Sequence, residues 1–120
     1  MDAKVAAQLC FPFIEKCDNI PDEHEQWGKD HLRYMVEEIM TMDCPDKDAK
    51  RKRLSGWVDE IAAEEDMDQR IKMVNALIDD VLVMCKSTEK AMRWIGWLQA
   101  CIAFGGGATL EDMKQINLKA

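Results

Sequence analysis

The sequence predicts an all-α protein: a helical bundle of two similar antiparallel hairpins, with a kinked N-terminal segment and a short C-terminal helix. Three observations carry that expectation. Apolar residues recur at i, i+3, i+4, i+7 in one segment after another, the spacing of a helix face turned to a core. No stretch alternates polar and apolar residues long enough to make a strand. A unit of helix, short turn and second helix is written twice. The 120 residues suit one domain, 1–120, since domains commonly run to about 100–200 residues.

Residues 3–17 are mildly helical but contain Cys10-Phe11-Pro12-Phe13. Proline lacks the helix donor and clashes with the preceding turn, so a break or kink is expected near Pro12. Pro21-Asp22-Glu23 reads as a helix start, with proline in the first turn and acids at the positive end of the dipole. That helix is expected to reach about Met42, with Leu32, Met35, Val36, Ile39 and Met40 as its stripe. Asp43-Cys44-Pro45-Asp46 stops it. A second helix follows to about Ala63, carrying Leu54, Trp57, Val58 and Ile61. After a polar link at 64–68, a third is expected from Asp68 to Met84, with Ile71, Val74, Leu77, Ile78, Val81 and Leu82. Ser87 suits the cap of a fourth, Thr88 to Phe104, with Trp94, Trp97, Leu98 and Ile102. Gly105-Gly106-Gly107 ends it, because glycine accepts the left-handed conformation that closes helices. Thr109-Leu110-Glu111-Asp112 resembles a capping box opening a last helix to about Leu118.

The repeat spans about 24–63 and 66–104. Val36-Glu37-Glu38-Ile39-Met40-Thr41-Met42 matches Ile78-Asp79-Asp80-Val81-Leu82-Val83-Met84 type for type, and Cys44 and Cys85 follow. Later in each copy come Gly56-Trp57 and Gly96-Trp97. Glycine inside a helix costs about 1 kcal/mol relative to alanine, so its recurrence suggests close helix crossings. Two such hairpins can bury their apolar faces on each other.

Composition narrows the function. A net charge of -7 repels nucleic acid, so general nucleic-acid binding is not expected. No apolar run approaches the roughly 20 residues of a bilayer span. The N-terminus lacks the basic, apolar and small-residue order of an export signal, which points to the cytoplasm. Cys10, Cys17, Cys44, Cys85 and Cys101 sit among apolar neighbours without metal-ligand spacing and read as free thiols of a reducing compartment. His24 and His31 form no metal-binding pattern. No metal or cofactor is expected, and no catalytic set is recognisable: the glycine run follows a helix and lacks the Lys-Ser/Thr of a phosphate loop.

Glu89-Lys90-Ala91-Met92-Arg93-Trp94-Ile95-Gly96-Trp97-Leu98-Gln99, followed by Thr109-Leu110-Glu111-Asp112-Met113-Lys114-Gln115-Ile116-Asn117, resembles the C-terminal half of small accessory (early-region) proteins of lambda-like phages and prophages. His31-Leu32-Arg33-Tyr34-Met35 resembles the helix that precedes it there. The resemblance covers about a third of the chain, and the chain departs from the pattern by a second hairpin between the two pieces. It implies a phage or prophage product acting in the bacterial host cytoplasm and says little of chemistry. Asp30 to Ile39 is also similar to a helix of lambda Gam, a nuclease inhibitor that imitates DNA.

The function expected is therefore non-enzymatic: binding a host protein, with inhibition of a host defence or nuclease system as its purpose. Trp27, Tyr34 and Trp94 are the candidate aromatic anchors, because tryptophan and tyrosine are enriched at binding hot spots. Arg33, Arg51 and Arg53 are the candidates for charge-assisted bonds. The basic run at 47–53 surrounds its helix rather than forming one stripe, and a solvated helix start explains it better than a patch does. Of Trp94 and Trp97, at least one is expected in the core. A homodimer is compatible with all of this. Three other readings stay open: a small-ligand protein sequestering a signalling nucleotide through His31, Arg33 and Arg93, an acidic decoy of DNA, and a magnesium-dependent all-α pyrophosphatase built on Glu37-Glu38, Glu64-Glu65 and Asp79-Asp80.

Overall fold

The computed structural model describes residues 2–17, 28–82 and 89–120. Six helices follow in order: α1 (Ala3–Glu15), α2 (Lys29–Thr41), α3 (Lys47–Ala63), α4 (Met67–Val81), α5 (Glu89–Phe104) and α6 (Leu110–Lys119). No strand occurs among the described residues. The expected starts at Pro21 and Ser87 lie outside them.

The N-terminal segment departs most from expectation. It is a continuous helix that runs through Pro12, and it is the most buried element. Ala3 to Cys10 are all buried, and α1 packs against every other helix. Asp2 caps it by accepting from the Lys4 backbone N–H at 2.9 Å. Proline removes one ladder bond at a cost of about 3 kcal/mol. Burial beyond it, of Ile14 and Cys17, offsets that loss, since a fully buried large apolar side chain contributes about 1.5–3 kcal/mol. The rest of the chain wraps this helix, and the radius of gyration, 13.3 Å, fits the roughly 13.6 Å of a single compact body of this length.

That placement rearranges the expected pairing. α2 and α3 do touch, but α2 packs most extensively on α1, and α4 packs on α3 and α1. The α4–α5 pair, expected as the second hairpin, is among neither's main contacts, and α5 lies on α1 and α2. The repeated stripe is nonetheless used in the same way in both copies. Leu32, Met35, Ile39 and Met40 are buried, and so are their counterparts Val74, Leu77, Val81 and Leu82.

The expected role of the repeated glycines is not found. A Cβ added to Gly56 or Gly96 meets nothing within 4 Å, so neither marks a close crossing within one chain. Gly56→Ala should therefore raise stability by roughly 0.5–1 kcal/mol through helix propensity alone; chemical denaturation would measure it, and a loss of stability would mean that something covers this face.

Local signals at the chain's end are met closely. Gly106 adopts φ 79°, Gly107 N–H donates to the Ile102 carbonyl and Gly106 N–H to that of Ala103, which is the Schellman closure. Thr109 and Asp112 then cap each other: the Thr109 backbone N–H donates to Asp112 Oδ2 at 2.9 Å and the Asp112 N–H to Thr109 Oγ1 at 3.1 Å. These bonds hold the Asp112 carboxyl below its usual range.

Cysteine usage needs one correction. Cys10, Cys17 and Cys101 are buried thiols outside any disulfide, as expected, and burial pushes the Cys10 thiol up to about 12, only partly opposed by the Gln99 amide. Cys44, however, stands in a disulfide, and Cys85 lies outside the described residues. A disulfide is the mark of an oxidising compartment rather than a reducing one, so cysteine usage does not argue for the cytoplasm.

Candidate functional site

α2 and α5 reach one another side by side over α1, and between them lies a groove of about 480 Å³. Its lining is His31, Tyr34 and Met35 from α2 and Arg93, Trp94 and Trp97 from α5. The helical period explains the set. In α2, His31, Tyr34 and Met35 fall within little more than one turn, on the edge of the stripe that buries Leu32 and Ile39. In α5, Trp94 and Trp97 are one turn apart, flanking the buried line of Ala91, Ile95, Leu98 and Ile102. Met35 is the buried floor, while Tyr34, Trp94 and Trp97 stay 47%, 38% and 53% exposed. The expectation that one of the two α5 tryptophans enters the core is thus not met.

The aromatic wall is held from behind. The Arg51 guanidinium lies over the Tyr34 ring, 5.0 Å from its centroid, and donates to Glu38 Oε2 at 2.5 Å. Lys47 Nζ donates to the same carboxylate at 3.0 Å. Burial would push the Arg51 pKa down, but Tyr34 and Glu38 outweigh it and raise the value. Burial likewise would raise the Glu38 carboxyl, and the two cations bring it below its usual range. Arg51 thereby orients Tyr34 rather than facing a partner, a role for which the sequence carried no signal.

The other candidates are placed elsewhere. Arg33 clamps α2 to the end of α1: its Nε and Nη2 donate to the two Glu15 oxygens at 2.7 and 2.9 Å, and Nη1 donates to Asp30 at 2.6 Å. Burial opposes its charge, but Glu15 and Asp30 raise its pKa on balance. Arg53 pairs with Asp80 at 2.9 Å across α3 and α4, an exposed pair worth about 0–1 kcal/mol. Arg93, 68% exposed in its side chain, stands 3.8 Å from Glu89 at the groove's rim beside His31. Trp27 lies outside the described residues. The basic run is thus divided between Glu38 on one side and Asp80 on the other.

Trp97 and Met35 complete a groove of which Tyr34, Trp94, His31 and Arg93 were candidates. Their helical neighbours pointed to them, but only the approach of α2 to α5 brings the set together. Phe104, Leu110 and Leu118, 88%, 79% and 70% exposed, were not singled out; nothing in a helical pattern separates an apolar residue that faces solvent at a helix end from one that faces the core. Among the described residues, no three His, Cys, Asp or Glu side chains gather as a metal site, and no helix is long and apolar enough to cross a membrane. Asp80, one of the acids a magnesium site would need, is paired with Arg53, and Glu38 with Lys47 and Arg51.

Comparison with known proteins brings no relative: no family model and no curated protein matches the sequence, and no solved structure matches the fold.

Proposed function

We propose that the protein is a non-enzymatic binding module whose α2–α5 groove takes an apolar or aromatic side chain of a protein partner. The observation that carries this is the groove's lining: three partly exposed aromatics over a buried methionine, with charge only at the rim. Aromatic surface at that density is the composition of binding hot spots, and methionine supplies an adaptable floor. Through the resemblance of the α5 and α6 segments, the partner proposed is a host protein met by a phage or prophage product. The pseudo-repeat is proposed as a duplication on the matching burial of α2 and α4.

Affinity capture from a bacterial lysate tests the proposal, with wild type beside Trp97→Ala and Trp94→Ala variants. A stoichiometric host protein bound by wild type should lose at least about thirtyfold in affinity with Trp97→Ala, the scale of a hot-spot residue. Retention by both variants would move the binding surface off the groove. A second reading rests on Arg93 and His31 at the rim: a planar anionic ligand, such as a nucleotide, stacked on the tryptophans. A ligand at 100 times its dissociation constant should then add about 2.7 kcal/mol to stability, which a thermal-shift panel would detect.

A further inference from the structure

α5 is apolar on both faces. Ala91, Ile95, Leu98 and Ile102 face the core, while Trp97 and Phe104 face outward, 53% and 88% exposed, with Gly96 and Ala100 exposed beside them. A helix that is apolar all round is normally covered all round. The strip is also free of charge: from Trp94 to Leu110 no Asp, Glu, Lys or Arg occurs, in a chain with 32% charged residues and a net charge of -7.

We infer that the cover is a second copy of this chain, with Phe104 of each copy seated in the α2–α5 groove of the other. Three points select a second copy over a foreign protein. The knob and the groove sit on one helix: Trp97 and Phe104 lie seven residues apart, two turns or about 10.5 Å along the axis on the same face. Antiparallel pairing about a two-fold axis at Ala100 therefore sets each Phe104 opposite the other copy's Trp97, so both knobs are received at once, as an isologous contact requires. Gly96, exposed beside that strip, where an added Cβ meets nothing within 4 Å, leaves room for the second copy's helix to approach. Two bodies of charge -7 repel one another, and this strip lets them meet without opposing carboxylates. A single helix face is a small interface, of the class below about 1,200 Å² in which weak and transient contacts are found, so the dimer is expected to be reversible and is sought at micromolar concentrations. In it the groove is closed, and a foreign partner must displace Phe104. This deepens the proposed binding function and rests on the groove being an aromatic-binding surface.

Sedimentation equilibrium of the full chain tests it. The wild-type mass should rise from 13.8 kDa towards twice that value across micromolar concentrations. Phe104→Glu should stay at the monomer mass throughout, with an unchanged circular-dichroism spectrum because the side chain is 88% exposed. Leu118→Glu, a like change at a 70% exposed site on α6, should dimerise as wild type does. A wild type monomeric over that range, or a Phe104→Glu variant as dimeric as wild type, overturns the inference. The same variants in the lysate capture separate the two proposals. Phe104→Glu keeps the groove's own lining and opens it, so a host partner should bind it at least as well as wild type. Dimerisation with no captured partner sinks the host-partner proposal alone; capture by a strictly monomeric wild type sinks this one alone.

Discussion

Gly107→Ala should lower stability by about 3 kcal/mol or more, enough to take roughly 10–15 °C off the melting temperature of a chain this size. Gly107 closes the Schellman turn after α5, and the end of α1 is pressed on it. An added Cβ would lie 2.5 Å from Cys17 Sγ and 3.2 Å from Ile102 Cγ2, and closer still to the Phe13 carbonyl oxygen. Cys17 is itself buried between the Phe13 and Ile102 carbonyls, at 3.7 and 3.8 Å from its sulfur. The obstacle is backbone and a wedged thiol rather than the free end of a side chain, so relief requires α1 and α5 to part. Gly106→Ala is the instructive contrast. Its φ of 79° penalises any side chain, but by only about 1–2 kcal/mol. Thermal or urea denaturation of both variants should therefore rank Gly107→Ala as the more damaging, and equal small losses would show that the α1 end yields easily.

These glycines show why some parts of the fold were legible and others not. Gly105 to Gly107 and the Thr109–Asp112 box act within a few residues of chain, so the sequence carries their whole cause. The α2 and α4 stripes were legible because burying one face leaves a 3.6-residue period. α1 leaves no such trace. From Ala3 to Cys10 it is buried all round, including Lys4 and Gln8, whose polarity argues for the surface, and Pro12 argues for a break. Once a helix is enclosed by five others, tertiary burial outweighs both signals. The same blindness moved the expected core from between two hairpins to the faces of α1. It also split the site: Tyr34 and Trp94 stood in one functional hypothesis and His31 and Arg93 in another, because nothing local says that α2 and α5 share a groove. Arg33 and Arg51, expected to meet a partner, are engaged by Glu15, Asp30 and Glu38, since a carboxylate within reach captures a guanidinium whatever its sequence context.

Lys4→Met is expected to stabilise the protein at neutral pH by on the order of 1–3 kcal/mol. Lys4 is 1% exposed, and among the described residues its ammonium reaches the Met42 carbonyl at 3.5 Å and Cys44 Sγ at 3.6 Å. Desolvation lowers its pKa from 10.5 to about 8; Asp2 and Asp43 oppose that shift and Lys50 adds to it. The unfolded chain holds the proton to about pH 10.4, so between pH 8 and that value it binds more protons than the folded chain, and stability rises with pH through this window. Below pH 8 both states carry the proton, the full cost is present, and the curve is flat. The difference between the two values sets a ceiling on the order of 3 kcal/mol, and removing the ammonium's two weak bonds brings the net gain below it. Methionine keeps the length and apolar stem of the side chain, so the stabilisation should appear at pH 7 and fade as pH approaches 10. Cys10 works in the opposite sense. Its thiol is pushed up to about 12 by burial, so above about pH 8.5 the folded state holds a proton the unfolded one releases, and stability falls. Wild type alone therefore mixes two opposed slopes, and the difference between wild type and Lys4→Met isolates the lysine. Urea denaturation from pH 6 to pH 10 measures that difference. A constant offset would mean that Lys4 reaches water and keeps its ordinary pKa, while a gap that narrows above pH 8 would establish a buried ammonium as a standing cost of this core.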